Sequence, residues 1–353
     1  MKSNLKFFKN SQSLPVDDFF TNVLYDKKFG YYASKIPFGK KGDFITAPKI
    51  SNLFSEMIAV WIISTWKIFK KPKRFNIVEL GPGDASLTKV LLEVFKRFPK
   101  FNDSKKIYLY ERSSFLKKKQ KQILKMSEVE WIDNFKKIKK GPVIFFGNEF
   151  FDAIPIKQFK KRNNLYFEKY YTIQSNNEIK EIFKHALKND IKLIKSFSCL
   201  KKLNFIEFPK LGIWELNRII EKISKLKGCI LLIDYGFLKS NNLDTLQSVK
   251  DHKKNNILKN LGRADVTSNV NFDLLSEFFL KNNLKVKGAI TQGEFLKNLG
   301  IMERSEIISK KMRFTEKMNL YLRLKRLLSP KLMGKLFKVI LAYKFKNDNY
   351  YGF

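Results

Sequence analysis

The sequence predicts an α/β fold on a mostly parallel sheet, with a small antiparallel insertion. Three observations predict it. The run Phe75-Asn76-Ile77-Val78-Glu79-Leu80 reads as a buried strand that stops at Gly81-Pro82-Gly83. From Ser86 to Phe95, apolar residues fall at 87, 90, 91, 94 and 95, which is helical spacing. Strand, glycine turn and helix in that order open a nucleotide-type crossover. Third, 156–185 breaks into short strand-like runs joined by polar turns such as Arg162-Asn163-Asn164 and Ser175-Asn176-Asn177.

Taken in order, 14–29 has the pattern of an amphipathic helix, with Pro15 near its start and Gly30 after its end. A loop rich in glycine and aromatics follows, from Gly30-Tyr31-Tyr32 to Phe44-Ile45-Thr46-Ala47-Pro48, and loops of this kind serve as lids or as plain connectors. Helix 51–69 is mostly apolar and is expected to be buried, with Pro72 beyond its end. The second strand, Lys106–Tyr110, ends in Glu111, and a short third strand is expected at Val129–Ile132. The fourth, from Pro142 to Gly147, runs into Asn148-Glu149-Phe150-Phe151-Asp152. After the insertion come helix 211–226, a fifth strand Cys229–Ile233 ending in Asp234-Tyr235-Gly236, helix 273–282 and a late strand Lys285–Thr291. Helical stretches 294–310 and 314–328 follow, and Leu332–Ile340 is expected to pack back on the sheet. The stretch holding Asp244-Thr245-Leu246-Gln247-Ser248 and His252 reads as loop. The resulting division is 1–70 (N-terminal helices and lid loop), 71–155 (first part of the core), 156–210 (inserted subdomain) and 211–353 (remainder of the core and C-terminal helices).

At 353 residues and 44% apolar content, the chain is long enough for one large domain with an insertion, or for two domains. The formal charge of +37 invites a polyanionic partner. Lysines are spread along the chain rather than clustered with aromatics, so compositional drift accounts for it better than a specific nucleic-acid surface. Two cysteines, Cys199 and Cys229, and two histidines, His185 and His252, make neither a disulfide framework nor a metal cluster, and no metal is expected. Met1–Asn10 is basic but has no apolar core for a secretory signal, and Met57–Trp66 is too short to span a bilayer. A cytoplasm-like, reducing compartment is expected, with an organelle address as the alternative.

The glycine turn differs from a dinucleotide fingerprint, because Ser86 stands where a third glycine belongs, and no Gly-Lys-Ser/Thr follows to make a P-loop. Glu111, at the tip of the second strand, can accept both hydroxyls of a ribose. A shortened turn with no pyrophosphate cradle fits a nucleoside ligand, and S-adenosylmethionine meets that description. Ligands of open parallel sheets sit at the carboxyl ends of strands, which is where Asn148, Glu149 and Asp152 fall. Helix capping by Asn148 or Asp152 is the alternative, but the aromatic pair Phe150-Phe151 makes capping alone a poor account of the stretch.

Several blocks in this order resemble the MidA-like S-adenosylmethionine-dependent methyltransferases, over nearly the whole chain. They are Gly30-Tyr31-Tyr32, Gly42-Asp43-Phe44-Ile45-Thr46-Ala47-Pro48, Glu79-Leu80-Gly81-Pro82-Gly83, Asn148-Glu149-Phe150-Phe151-Asp152-Ala153-Ile154-Pro155, Asp234-Tyr235-Gly236, Asp244-Thr245-Leu246-Gln247 and Gly262-Arg263-Ala264-Asp265-Val266-Thr267. Thr291-Gln292-Gly293 and Met333-Gly334-Lys335-Leu336 complete the set. The resemblance implies a Rossmann-like, seven-stranded methyltransferase sheet with an inserted β/α subdomain and an N-terminal helical extension. It implies methyl transfer to an arginine of a protein, of the kind found in a respiratory complex I subunit, and a mitochondrial matrix location for eukaryotic members. The family pattern has Glu where this chain has Lys49, Gly where it has Ser55, and Arg-Gly where it has Asp84-Ala85. Lys49 is therefore expected to alter the electrostatics of the lid.

On this reading Glu149, Asp152 and Asp43 hold a guanidinium, which is always charged and needs carboxylates to orient it. Gly81 and Gly83 admit the amino-acid end of the cofactor with Glu79 near its ammonium, Glu111 takes the ribose, and Asn148 and Thr46 complete the cofactor site. A chaperone that keeps the fold without activity and an RNA methyltransferase are the alternatives. The second lacks support at the fourth strand, where an aromatic after a Pro-Pro turn would be needed and Asn148-Glu149-Phe150-Phe151 stands instead.

Overall fold

The computed structural model describes residues 4–34, 46–124, 128–345 and 349–353. They fall into two compact units, one comprising Ile45–Phe150, Arg218–Gly236 and Phe279–Phe353, the other Met1–Phe44, Phe151–Asn217 and Phe237–Phe278.

The first unit is built on seven strands in the spatial order Lys285–Thr291, Phe337–Tyr343, Gly228–Phe237, Val143–Asn148, Phe75–Leu80, Lys105–Tyr110 and Val129–Ile132. Phe75–Leu80 pairs in parallel with Lys105–Tyr110 on one side and Val143–Asn148 on the other. Every residue of Phe75–Leu80 is buried, as expected of a parallel strand covered on both faces. Phe337–Tyr343 runs antiparallel between Gly228–Phe237 and Lys285–Thr291, so the late apolar run does return to the sheet, as a strand. Helix Asn52–Ile68 is capped by Ser51, whose Oγ accepts from Leu53 N at 3.3 Å. Its Phe54, Ile58, Trp61 and Ile62 share one apolar cluster with Ile77, Ile107, Ile144 and Leu231 of the strands. The helical stretch expected at 294–310 is two helices, Gln292–Asn298 and Ile301–Ser309, parted at Gly300, whose φ of +86° suits glycine.

The second unit holds the insertion as an antiparallel sheet of its own. Leu165–Ile173 pairs along one edge with Ile179–His185. Its other edge is shared between Lys157–Arg162 and the short strand Ser13–Pro15, and Phe205–Phe208 pairs beyond Lys157–Arg162. The stretch holding Asp244–Ser248 and His252, expected as loop, contributes Gln247–Lys250 to a three-stranded sheet with Lys253–Asn255 and Asp265–Thr267. These strands are short and polar, so their alternation was invisible until pairing joined distant segments. His252 sits exposed at the hairpin turn beside Asp251, both with positive φ.

A buried ionic cluster lies in this unit. Lys157 Nζ hydrogen-bonds Glu168 and lies 3.3 Å from Asp17 and 3.9 Å from Asp190, which also takes Lys210 at 2.6 Å. Burial opposes the charge of Lys157, but the three carboxylates more than offset it and hold the ammonium above the usual lysine range. Burial likewise raises the carboxyls of Asp17 and Glu168 against the pull of Lys157. Removing the cation leaves buried carboxylates uncompensated, so Lys157→Met is expected to cost about 3–5 kcal/mol. Chemical denaturation near neutral pH checks this, and the deficit should shrink in acid as the carboxylates protonate.

Candidate active site

The register of three adjacent parallel strands assembles one side of the site. Leu80 lies beside Tyr110 and Gly147, so the next residues of each strand, Gly81, Glu111 and Asn148-Glu149, emerge at one edge of the sheet. Adjacent strands lie about 4.8 Å apart, so these groups span roughly 10 Å. The edge is tied by backbone bonds: Gly81 N donates to Tyr110 O at 3.0 Å and Glu149 N to Ile233 O at 2.9 Å.

The turn that follows Leu80 has three left-handed positions, Gly81 (φ +63°), Gly83 (φ +57°) and Ala85 (φ +63°). A Cβ on Gly81 would stand 3.0 Å from Phe150 Cδ2, and one on Gly147 would stand 3.0 Å from Phe150 Cβ. Phe150 thus fills the space above two glycines, which explains one of the aromatics after Glu149. Its neighbour Phe151 belongs to the other unit, where its ring lies against Gly212. Ala85 precedes helix Ser86–Phe95 without a side-chain cap. Asp84 Oδ1 accepts from Ser86 N at 3.2 Å, and its Oδ2 pairs with Lys49 Nζ at 2.5 Å. The charge of Lys49, expected to alter the lid, is therefore balanced by Asp84.

Glu79 is buried and accepts a hydrogen bond from Thr88 Oγ1. Burial pushes its carboxyl up to about 7; the Thr88 bond opposes this, and the charges of Asp84 and Glu111 add to it. Glu111 is also buried and raised by burial, against hydrogen bonds from Ser113 N (2.8 Å) and Gln120 Nε2 (3.2 Å). Gln120 was not anticipated. It is fully buried; its Nε2 also donates to Gly83 O at 2.8 Å, and its Oε1 accepts from Trp131 Nε1 at 2.8 Å. One amide therefore ties the glycine turn, the Glu111 carboxylate and the third strand together. Its only sequence signal is a glutamine amid the lysines of helix Ser114–Ile123.

Glu149 has φ +52°, a conformation that L side chains hold only when the surroundings impose it. Its Oε1 accepts from Asn148 Nδ2 at 3.1 Å, and Asn148 Oδ1 is buried with no hydrogen-bond partner among the described residues. Thr46 is buried at the start of helix Ala47–Ile50, with its carbonyl accepting from Lys49 N and Ile50 N. Asp43 lies outside the described residues.

Asp152 belongs to the second unit, and there it joins blocks that are far apart in sequence. Its carbonyl accepts from Ser268 N at 3.1 Å. Tyr25 Oη donates to Ala153 O at 2.9 Å, and the Tyr25 ring stacks on Tyr32 at 5.4 Å. Tyr32 Oη in turn donates to Asp265, 233 residues away, at 3.3 Å. Burial, then the charges of Asp265, Tyr25 and Asp152, raise the Tyr32 phenol well above its usual range, so it stays a donor. Asp265 and Tyr32 were not singled out from the sequence as site residues, although both lie in blocks that carry the resemblance. Among the described residues no cluster of His, Cys, Asp and Glu could hold a metal, and no helix is long and apolar enough to cross a membrane.

Seven core strands with Phe337–Tyr343 antiparallel, a glycine turn after the first strand and an acidic residue after the second are the arrangement expected of a methyltransferase fold. The residues fit S-adenosylmethionine: left-handed backbone at the turn, buried carboxylates at Glu79 before the turn and at Glu111 after the neighbouring strand, and the Asn148 oxygen with no partner among the described residues at the same edge. Residues 57–290 match the family model described as "Putative S-adenosyl-L-methionine-dependent methyltransferase", and the chain belongs to that family. It is an S-adenosylmethionine-dependent methyltransferase. It is 29% identical over 329 residues to the Xenopus tropicalis protein arginine methyltransferase NDUFAF7, mitochondrial, covering 86% of this chain and 76% of that one. It is 27% identical to the Homo sapiens protein of the same name, covering 93% and 80% respectively. Its fold matches the crystal structure of a Burkholderia thailandensis protein bound to S-adenosyl-homocysteine. The TM-score is 0.82 at 20% identity, covering 99% of this chain and 92% of that one.

A side chain at Gly83 meets a backbone conformation that favours glycine, on the residue whose carbonyl anchors Gln120. Gly83→Val is expected to abolish S-adenosylmethionine binding in calorimetric titration, whereas the wild type binds.

Proposed function

We propose that this methyltransferase acts on an arginine side chain of a protein, with Glu149 as the group that orients the acceptor. The observation that carries the reading is the left-handed, hydrogen-bonded Glu149 at the carboxyl end of the fourth strand, beside the glycine turn. A guanidinium is permanently charged, and only a carboxylate both localises that charge and frees one nitrogen to attack. Bound S-adenosylmethionine supplies a methyl carbon activated by a sulfonium. The protein's task is then mainly alignment. Glu149 holds the guanidinium and accepts the proton that the methylated nitrogen loses. Asp152, three residues along the chain, is the second proposed carboxylate, and within its own unit its charge acts on the Tyr32 phenol together with that of Asp265. Glu79 would meet the ammonium of the cofactor's amino-acid end, and Glu111 the ribose, with Asn148 and Thr46 as further contacts. The names of the relatives, arginine methyltransferases, support a protein acceptor, and the resemblance suggests a respiratory complex I subunit in the mitochondrial matrix.

Glu149→Gln is expected to lower labelled-methyl transfer to protein by at least about a hundredfold, the scale of a lost acid–base group. S-adenosylmethionine affinity should stay within a few-fold. Loss of both together would remove Glu149 from this role, and label recovered in RNA would remove the protein acceptor.

The raised Glu79 carboxyl yields a pH signature. Its folded value of about 7 exceeds the ordinary 4.5, so its contribution to the stability of the free protein is lost as pH rises through about 7. Pairing with an ammonium needs the ionised form, so S-adenosylmethionine affinity should rise about tenfold from about pH 6 to about pH 8. Calorimetry across that range checks this, and Glu79→Gln should flatten the profile.

A further inference from the structure

Helix Phe314–Leu328 carries two apolar faces. One is spent on packing: Leu324 and Leu327 are buried, with Leu320 and Leu328 half-buried beside the same core. The other faces solvent. Phe314, Met318, Tyr321 and Leu322 recur at i, i+4, i+7 and i+8, one stripe of a helix, and are 77%, 44%, 57% and 56% exposed. A helix needs only one apolar face to join a core, so the second is surplus to folding.

The charge around the stripe is one-sided. Residues 310–331, the helix and its flanks, hold eight Lys or Arg against one Glu. Lys317 and Lys325 fall within the stripe's own helical rows. Beyond the helix a groove of about 640 Å³ is lined by Arg326, Lys331, Lys335 and the apolar Leu332 and Leu336. Cations and large apolar groups thus share both features. A second copy of the chain would bring the same charge to the same face, within a formal total of +37. An occupant must be apolar in depth and anionic at its surface, which describes the interface of an anionic bilayer.

We propose that the exposed stripe of helix Phe314–Leu328 docks this protein on anionic lipid surfaces, with Phe314 and Tyr321 inserted among the lipids and the flanking lysines and arginines on the headgroups. The basic chain alone would adhere weakly and without depth to any polyanion; insertion adds an apolar component that survives salt.

The test is sedimentation of the full chain with phosphatidylcholine vesicles and with vesicles of phosphatidylcholine and phosphatidylglycerol in equal parts, at physiological salt. Binding to the mixed vesicles only is expected. Phe314→Ser/Tyr321→Ser, at two exposed positions that leave the core intact, should weaken it by roughly tenfold or more, as burial of an aromatic ring implies. Phe314→Trp should retain binding and show a blue-shifted emission on mixed vesicles that the wild type lacks. Equal binding by the double variant would mean adhesion by charge alone and overturn the proposal. Failure of the wild type to bind would also overturn it and leave an acidic protein as the occupant of the stripe.

Discussion

The parallel register of Phe75–Leu80 with its two neighbours is the constraint on which the rest of this molecule depends. Backbone hydrogen bonds fix that Leu80 lies beside Tyr110 and Gly147. A slip of one residue in either pairing would turn Glu79 or Glu111 to the opposite face of the sheet. Because all six residues of the first strand are buried, the register is held by packing on both faces. Everything polar at this edge is placed by that pairing before any side chain contributes.

The edge itself is a compromise between packing and exposure of backbone. Gly81 and Gly147 lack side chains because Phe150 occupies the space where a Cβ would go. The glycine turn therefore serves two ends: it takes a left-handed path, and it seats an aromatic that helps define where Glu149 emerges. Glu149 in turn accepts a left-handed conformation at the residue where strand becomes loop. Gln120 closes the arrangement from below by joining Gly83, Glu111 and Trp131. Buried carboxylates at positions 79 and 111 are costly in an apolar setting unless something compensates them. Thr88, Ser113 and Gln120 supply part of that compensation, and a bound nucleoside with an amino-acid tail suits the remainder.

Charge reads differently once its partners are visible. Lys49 reads in the sequence as an isolated cation in the lid segment, yet it meets Asp84 of the glycine turn, so the local charge is balanced. The large positive total is spread over the chain, but on helix Phe314–Leu328 it coincides with a solvent-facing apolar stripe. Coincidence of the two kinds of surface, rather than the total, is what gives that helix a partner chemistry.

The sequence by itself determined the elements whose signal is local. Apolar runs and helical periodicity placed six of the seven core strands and most of the helices, and Gly81-Pro82-Gly83, Glu111 and Asn148-Glu149 could be read as strand-end residues because each immediately follows such a run. Tertiary structure alone decided the rest. It made one sheet of Gln247–Lys250, Lys253–Asn255 and Asp265–Thr267, whose short polar strands carry no alternation to read. It brought Tyr32 to Asp265 across 233 residues and set Gln120 between a turn and a carboxylate, contacts for which local pattern has no signature. Burial, which sets the proton affinity of Glu79 and Glu111, depends on what covers a residue from distant segments, and no window of neighbouring residues contains that information.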